Sequence, residues 1–551
     1  MPPAAVLAPV VIPVVGACVV AVLGFLGLDL GRLVAGSFAG ASAVALLILW
    51  LPVRSTQELN LGALGTGSSL DLRVDAVAFA FGLIVLLPAV TLLALQRRRW
   101  QDAAVAMLGL AAALTAIEAG GIGLTAVAGG TAAMLAAVQL DSEDGRSLRS
   151  RWGLLLAAWL LLSLAGAILQ VRSGTAVYAA VPVTSFTGPV FLLMAAAALL
   201  ASGLFPWRAW PSQVWSRPST RAAGMTVATL YPMGFYLLVR SYEMGDGQYP
   251  APAFQVLLAA LGVLIALGAA VRAQGASTRA GFLNEVVPGF GGFALMTLAL
   301  GTPLGLAASL TTLATAAALT ACFALLPRAT ESYTLITIAA AVGLPPGLAF
   351  GARVLGIEST FEMGNLQGLI GLAGVATWAV WMVGAARAIG LPAASDSAPN
   401  ESSPRAAAAI AALTLMTGPA LPAFQTVFAN PAQADVMSAP AEPVAGGLTS
   451  VVTVTTVLPA LALFLPLVAI GALAYVLSRS AFVKGEPRPV PFRLPFDGLI
   501  REVRATARAA TVPEEYRSLW NARLIESAVA GGRPVLWLAV LVALVFAVTR
   551  Q

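Results

Sequence analysis

The chain has 551 residues, of which 59% are hydrophobic and only 10% charged, with a mean hydropathy of +0.88 and a formal charge of +6. A typical soluble domain is about a quarter charged, so water-soluble domains, intrinsic disorder, coiled coil and collagen are excluded. An all-α polytopic membrane protein remains, and ~20 apolar residues per crossing allow roughly 14 to 16 spans.

The apolar runs fall, in chain order, at 4–28, 31–53, 74–96, 101–118, 121–140, 153–171, 185–204 and 222–240. They continue at 251–273, 281–299, 304–326, 331–352, 365–387, 406–428, 449–477 and 534–549. These runs are apolar throughout, whereas strands of a membrane barrel would alternate. The first has no basic start and is longer than a signal peptide's core, so it is expected to stay as a span.

The arginines divide the connections into two sets. Loops after odd-numbered spans carry Arg32, Arg97-Arg98-Arg99, Arg146, Arg149, Arg151, Arg208, Arg217, Arg272, Arg279, Arg328 and Arg405. Loops after even-numbered spans carry mainly Glu58, Asp71, Glu243, Asp246, Glu358, Glu362, Asp435 and Glu442. The positive-inside rule then predicts that both termini lie outside a multi-pass protein of the cell inner (plasma) membrane. The net positive charge is read as cytoplasmic loop charge, with the lipid bilayer as partner and no nucleic acid. Residues 478–533 form a basic connection before the last span. There Leu499, Ile500, Val503 and Ala507 recur at helical spacing, which predicts an amphipathic segment lying along the interface.

Histidine is absent, and the two cysteines, Cys18 and Cys322, lie far apart in apolar runs. That excludes Ser-His-Asp catalysis, histidine-bound metal or haem and a disulfide framework. No cofactor, cluster or nucleotide fingerprint occurs, so no catalytic residue, metal or cofactor is expected. An ionisable group inside a span is a functional candidate by default. Four such groups occur: Asp75 opens span three, Glu118 closes span four, Glu285 lies near the start of span ten and Arg353 ends span twelve. Asp75 and Glu118 are near enough to span ends to be hydrated, Glu285 reads as a mouth position, and Arg353 has the option of snorkelling to the interface. Tyr231 joins them as an ion-path candidate. Four scattered charges do not make a proton wire across ~30 Å of hydrocarbon.

Three stretches carry a resemblance. The first is Leu204-Phe205-Pro206-Trp207-Arg208-Ala209-Trp210, followed by Arg217-Pro218-Ser219-Thr220 and Gly234-Phe235-Tyr236-Leu237-Leu238-Val239-Arg240. The second is Gly343-Leu344-Pro345-Pro346 leading to Phe350 and Arg353, and the third is Gly289 to Phe293 followed by Leu298-Ala299-Leu300-Gly301. With Val74-Asp75, these resemble, in order and spacing over roughly residues 70–390, the antiporter-like membrane subunits of respiratory complex I (NADH-quinone oxidoreductase). Mrp antiporters and the membrane subunits of energy-converting hydrogenases belong to the same family.

The resemblance implies two inverted five-helix repeats and discontinuous helices, with Pro232 and Pro345-Pro346 as candidate breaks. It divides the chain into N-terminal spans (1–100), an antiporter-like core (101–390), C-terminal spans (391–477), a lateral cytoplasmic segment (478–533) and a final span (534–551). Its relay residues do not carry over. The span-five glutamate falls at Gly130, the span-seven lysine at Ala201, and the span-eight positions at Thr226 and Tyr231. The span-eleven histidine and lysine fall at Thr315 and Leu319, and only the span-twelve lysine keeps a charge, as Arg353. Arginine releases a proton poorly. The expected function is therefore a membrane-arm subunit of a complex I-like assembly, partnered by other membrane subunits, mainly structural or weakly ion-translocating. It would be at most a non-redox subunit of an NADH-quinone oxidoreductase-like complex. The alternatives are an active proton or cation translocator using a non-standard path, and the membrane partner of an inorganic-carbon uptake system.

Overall fold

The computed structural model describes residues 3–436 except 29, 64–68, 97, 145–148, 205–213, 215–219, 327–330, 363–364 and 393–402. The expectations for 449–477, 478–533 and 534–549, and the Pro206 to Ser219 part of the first motif (residue 214 apart), lie outside the described residues.

Within them, each of the first fourteen apolar runs coincides with helix. In chain order these are α1 (Ala8–Phe25), α2 (Gly31–Trp50), α3 (Ala76–Leu95), α4 (Trp100–Glu118), α5 (Ile122–Asp144), α6 (Arg149–Ser173), α7 (Gly188–Ala201) and α8 (Thr220–Met244). There follow α9 (Pro252–Gln274), α10 (Val286–Leu298), α11 (Pro303–Leu325), the half-helices α12 (Glu331–Val342) and α13 (Leu348–Glu362), α14 (Asn365–Ile389), α15 (Pro404–Met416) and α16 (Asn430–Val436). Among the described residues ten helices are long and apolar enough to cross a bilayer, or eleven if the pair Pro404–Met416 and Gly418–Val436, bent by 56°, counts as one span. Helix starts follow local chemistry. Asp75 caps α3 by accepting from the Ala78 N–H at 2.8 Å, and Thr302 caps α11 by accepting from Gly305 N at 3.0 Å. Pro252 and Pro303 occupy first-turn positions, where the missing N–H costs nothing.

The packing order is the same in two halves. α4 packs on α5, α5 on α6, α6 on α7 and α7 on α8, which returns against α4 and α5. Likewise α9 packs on α10, α10 on α11, α11 on α13 and α13 on α14, which returns against α9. Because five segments separate the two starting helices, the second ring begins from the opposite end of the bundle and is inverted relative to the first. The fourth member of each ring is short or split. α7 ends after 14 residues at a turn where Gly203 has φ +64°, and α12 ends at Gly343 with φ +79° before α13 begins.

Two expectations are corrected. Pro232 does not break its span, because α8 runs through it for 25 residues, fully packed by neighbours. In membrane helices neighbouring groups re-satisfy the backbone that proline frees. The first-half discontinuity falls instead at the end of α7. Span twelve is not one run ending at 352, since α13 extends to Glu362 and so places Arg353 inside it, beneath the break, not at a terminus.

Gly343 makes the break possible. Its left-handed backbone disfavours any Cβ, and an added one would stand 3.1 Å from Arg353 Nη1 and 3.3 Å from the backbone of Ala349 and Phe350. Gly343→Ala is expected to cost about 1–2 kcal/mol from the backbone alone, read as a lowered thermal unfolding temperature in detergent. An unchanged temperature would remove this role for Gly343.

A polar stretch between α2 and α3, expected only as a loop, forms a hairpin of β1 (Gln57–Ala63) and β2 (Ser69–Val74). The strands are antiparallel with Gln57 opposite Val74, and the register shifts between Asn60 and Ala63. β2 covers one end of the bundle, where its Asp71 carbonyl accepts from Gly120 N at 2.7 Å just beyond α4.

Candidate functional site

Beneath that hairpin lies a cluster of charges taken out of water. Asp75, at the start of α3, is fully buried, and Arg240, in the last turns of α8, is 1% exposed. The pair is bidentate: Arg240 Nη1 donates to Asp75 Oδ2 at 2.7 Å and Nη2 to Oδ1 at 3.0 Å. Arg240 also donates from Nη1 to Glu243 Oε2 at 2.6 Å and from Nε to the Tyr236 hydroxyl at 2.9 Å. Its guanidinium carbon stands 5.0 Å from the Tyr236 ring centre and 5.6 Å from that of Tyr178. Arg73 on β2 closes the circuit, with Nη1 2.7 Å from Glu243 Oε1 and Nε 3.2 Å from Asp75 Oδ2. Burial works against the charge of Arg73, but Asp75 and Glu243 beside it raise its pKa above the ordinary arginine value. From α16, Asp435 Oδ2 accepts from the Ala76 N–H at 2.8 Å, adding a second carboxylate at the positive end of α3.

Two guanidiniums thus face Asp75 and Glu243, with Asp435 beside them and Glu58 3.6 Å from Arg73 Nε, and the aromatic faces supply further attraction to Arg240. A buried pair offsets its desolvation only with geometry this complete. Asp75 is an anchored counter-ion, and the hydrated alternative for it is corrected: packing of α3 against α8 and the hairpin shuts water out.

Arg353 presents a different arrangement. Its guanidinium donates to the Val342 carbonyl and, at 3.1 Å, to the Ala341 carbonyl, the last two of α12. It lies between the rings of Phe290 and Trp378, 5.3 and 5.6 Å from their centres, and Trp378 Nε1 donates to the same Val342 carbonyl at 3.0 Å. The broken helix therefore ends on a cation, where the macrodipole concentrates about half a negative charge. Among the described residues no carboxylate pairs with Arg353, and it is 6% exposed, so it does not snorkel to an interface.

The remaining candidates are dispersed. Glu118 closes α4 on the same end of the bundle as Asp75, fully buried, with neither carboxyl oxygen hydrogen-bonded among the described residues. Burial replaces the hydration considered for it from sequence. Glu285 lies toward the opposite end, partly exposed and 2.9 Å from Arg272 Nε. Tyr231 donates to the Val287 carbonyl at 2.9 Å. None of these five groups pairs with another.

The positions that the resemblance matches to the family's relay are packed to different degrees. At Gly129–Gly130 the indole of Trp159 from α6 lies over α5: a Cβ on Gly129 would be 2.3 Å from the ring, and one on Gly130 3.7 Å from the Trp159 Cβ. Ala201 and Leu319 are fully buried, and Thr315 donates to the Thr311 carbonyl at 2.8 Å. Thr226 is buried and lines a cavity of about 10 Å³ with Thr229 and Gln139, between α4, α5 and α8. A second cavity of about 10 Å³ lies at Arg353 in the other ring. Each is the size of one water molecule.

Sequence reasoning missed Arg240, Arg73, Glu243, Asp435 and Trp159. Span parity was the available clue, since it puts Asp75, Arg240 and Glu243 at one end of the bundle with opposite charges.

Two inverted five-helix rings, each with a discontinuous fourth member, define the antiporter-like class of polytopic membrane subunit. No protein-family model matches this sequence, and no curated protein matches it. Solved structures do match. A chain of the Mrp complex from Dietzia sp. DQ12-45-1b aligns with TM-score 0.73 and 20% identity over 96% of this chain, which spans 63% of that chain's length. A chain of the membrane-bound sulfane sulfur reductase, an archaeal respiratory membrane complex, aligns with TM-score 0.68 and 16% identity, covering 98% of this chain and 99% of its own. A chain of respiratory complex I from Thermus thermophilus aligns with TM-score 0.64 and 22% identity, covering 79% and 99% respectively. At these identities the likeness establishes the antiporter-like fold.

Proposed function

We propose that this chain is a membrane-arm subunit of an Mrp- or complex I-like assembly in the cell inner membrane, where it fills and braces the arm and translocates ions weakly or not at all. The observation that carries this reading is the state of the relay positions. Trp159 lies over Gly129–Gly130, and Ala201, Thr226, Thr315 and Leu319 hold no titratable group. Two of the charges that persist are tied down, Asp75 by Arg240 and Arg73, and Arg353 by the end of α12, while Glu118 stands apart from both. A relay needs groups that exchange protons with neighbours a few ångströms away.

In this reading both termini lie outside, which the distribution of arginines supports. The division into N-terminal spans, core, C-terminal spans, lateral segment and final span follows the family resemblance, with 478–533 bracing neighbours from the cytoplasmic side. Any redox activity belongs to the assembly. The test is the ratio of protons moved per electron pair by the purified assembly with and without this subunit. An unchanged ratio is expected, with loss of assembly stability instead; a clear fall in the ratio in an intact remainder would overturn the structural role.

A further inference from the structure

The two small cavities are alike in size but opposite in character. The first-half cavity, at Thr226, Thr229 and Gln139, is neutral, whereas the second has a full positive charge in its wall. Arg353 does not neutralise itself by shedding a proton, and an isolated buried ion is costly. The end of α12 supplies about half a compensating charge. Among the described residues no carboxylate supplies the rest. A guanidinium has five N–H donors, and the bonds to Val342 and Ala341 leave further donors on a group that lines the cavity.

We propose that this cavity binds one small inorganic anion, chloride under physiological conditions, with Arg353 as its main holder. Thr312 and Thr377 also line it; their hydroxyl protons are held by the carbonyls of Ala308 at 2.6 Å and Ala373 at 2.8 Å, which leaves the guanidinium to supply the donors for the anion. The rest of the wall is apolar, with the rings of Phe290, Phe293, Trp378 and Trp381 among small residues. Chloride is slightly larger than the water-sized space, so the rings must give a little to admit it. Bromide is therefore accepted less readily, and iodide is rejected. The site stands independently of whether the chain translocates protons or joins an assembly.

Radioactive chloride binding to the full chain, purified in detergent and exchanged into gluconate, tests this. One saturable equivalent per chain is expected, displaced by bromide and not by iodide. Arg353→Gln is expected to lose it at least tenfold, while Thr226→Val, in the neutral cavity, retains it. No saturable chloride on the folded wild-type chain overturns the site, whatever the folding of the variant. Equal binding by a folded Arg353→Gln chain, or iodide competing as well as bromide, overturns it too.

Discussion

Replacing Arg240 with Met is expected to lower the unfolding free energy by about 3–5 kcal/mol, because it strands a fully buried carboxylate. Asp75 would keep Arg73 at 3.2 Å and the Ala78 N–H at 2.8 Å, but lose both arms of its bidentate partner. Glu243 would lose its shorter contact and the Tyr236 hydroxyl its donor. The double variant Asp75→Asn with Arg240→Met is expected to recover much of the loss, since removing both charges removes the desolvation that pairing offset. Arg73→Met is expected to cost less, because Asp75 keeps both arms of Arg240 and Glu243 keeps its 2.6 Å contact with it. Thermal unfolding in detergent across the cycle measures this. If the double variant were as unstable as Arg240→Met alone, the pairing would not be what holds α3 to α8.

Trp378→Ala is expected to cost a similar amount, about 3–5 kcal/mol, as for other large aromatic truncations in packed interiors. Trp378 is 1% exposed, flanks the Arg353 guanidinium and donates to the Val342 carbonyl at the helix break. Alanine removes the ring, its attraction for the cation and the hydrogen bond together. Trp378→Phe separates these contributions. It keeps most of the packing and a ring face while losing the N–H, and Val342 still accepts from Arg353. The expected cost is therefore about 0.5–1.5 kcal/mol, that of one net hydrogen bond. Equal losses for the two variants would show that the indole N–H, not the ring, secures the end of α12.

The two predictions mark different uses of arginine in one membrane protein. Arg240 is neutralised by carboxylates at the end of the bundle, and its role is to join α8 to α3 and the hairpin. Among the described residues Arg353 is neutralised only in part, by a helix terminus. The family resemblance places a proton-exchanging lysine at this position, yet the arginine is fastened to two carbonyls and enclosed by rings. In the first ring the resemblance places a glutamate at Gly130, and Trp159 packs against its neighbour Gly129.

The chain's own residues determined where the membrane helices run. Bilayer thickness demands about 20 consecutive apolar residues, and that requirement is local, so α1 to α11 and α14 were legible from runs such as 74–96 and 304–326. Proline was a weaker guide: the same residue interrupts span twelve beside Gly343 and leaves α8 continuous at Pro232, because neighbouring helices decide whether a freed carbonyl is satisfied. Only tertiary structure decided which charges meet. Asp75 and Arg240 are separated by 165 positions, and no local pattern records that separation; their contact exists because α3 packs against α8 beneath a hairpin. The same holds for Trp159 over Gly129, where packing of α6 on α5 assigns a bulky group its partner, and for Arg353 under Val342, where the break in the span folds one half-helix onto the end of the other.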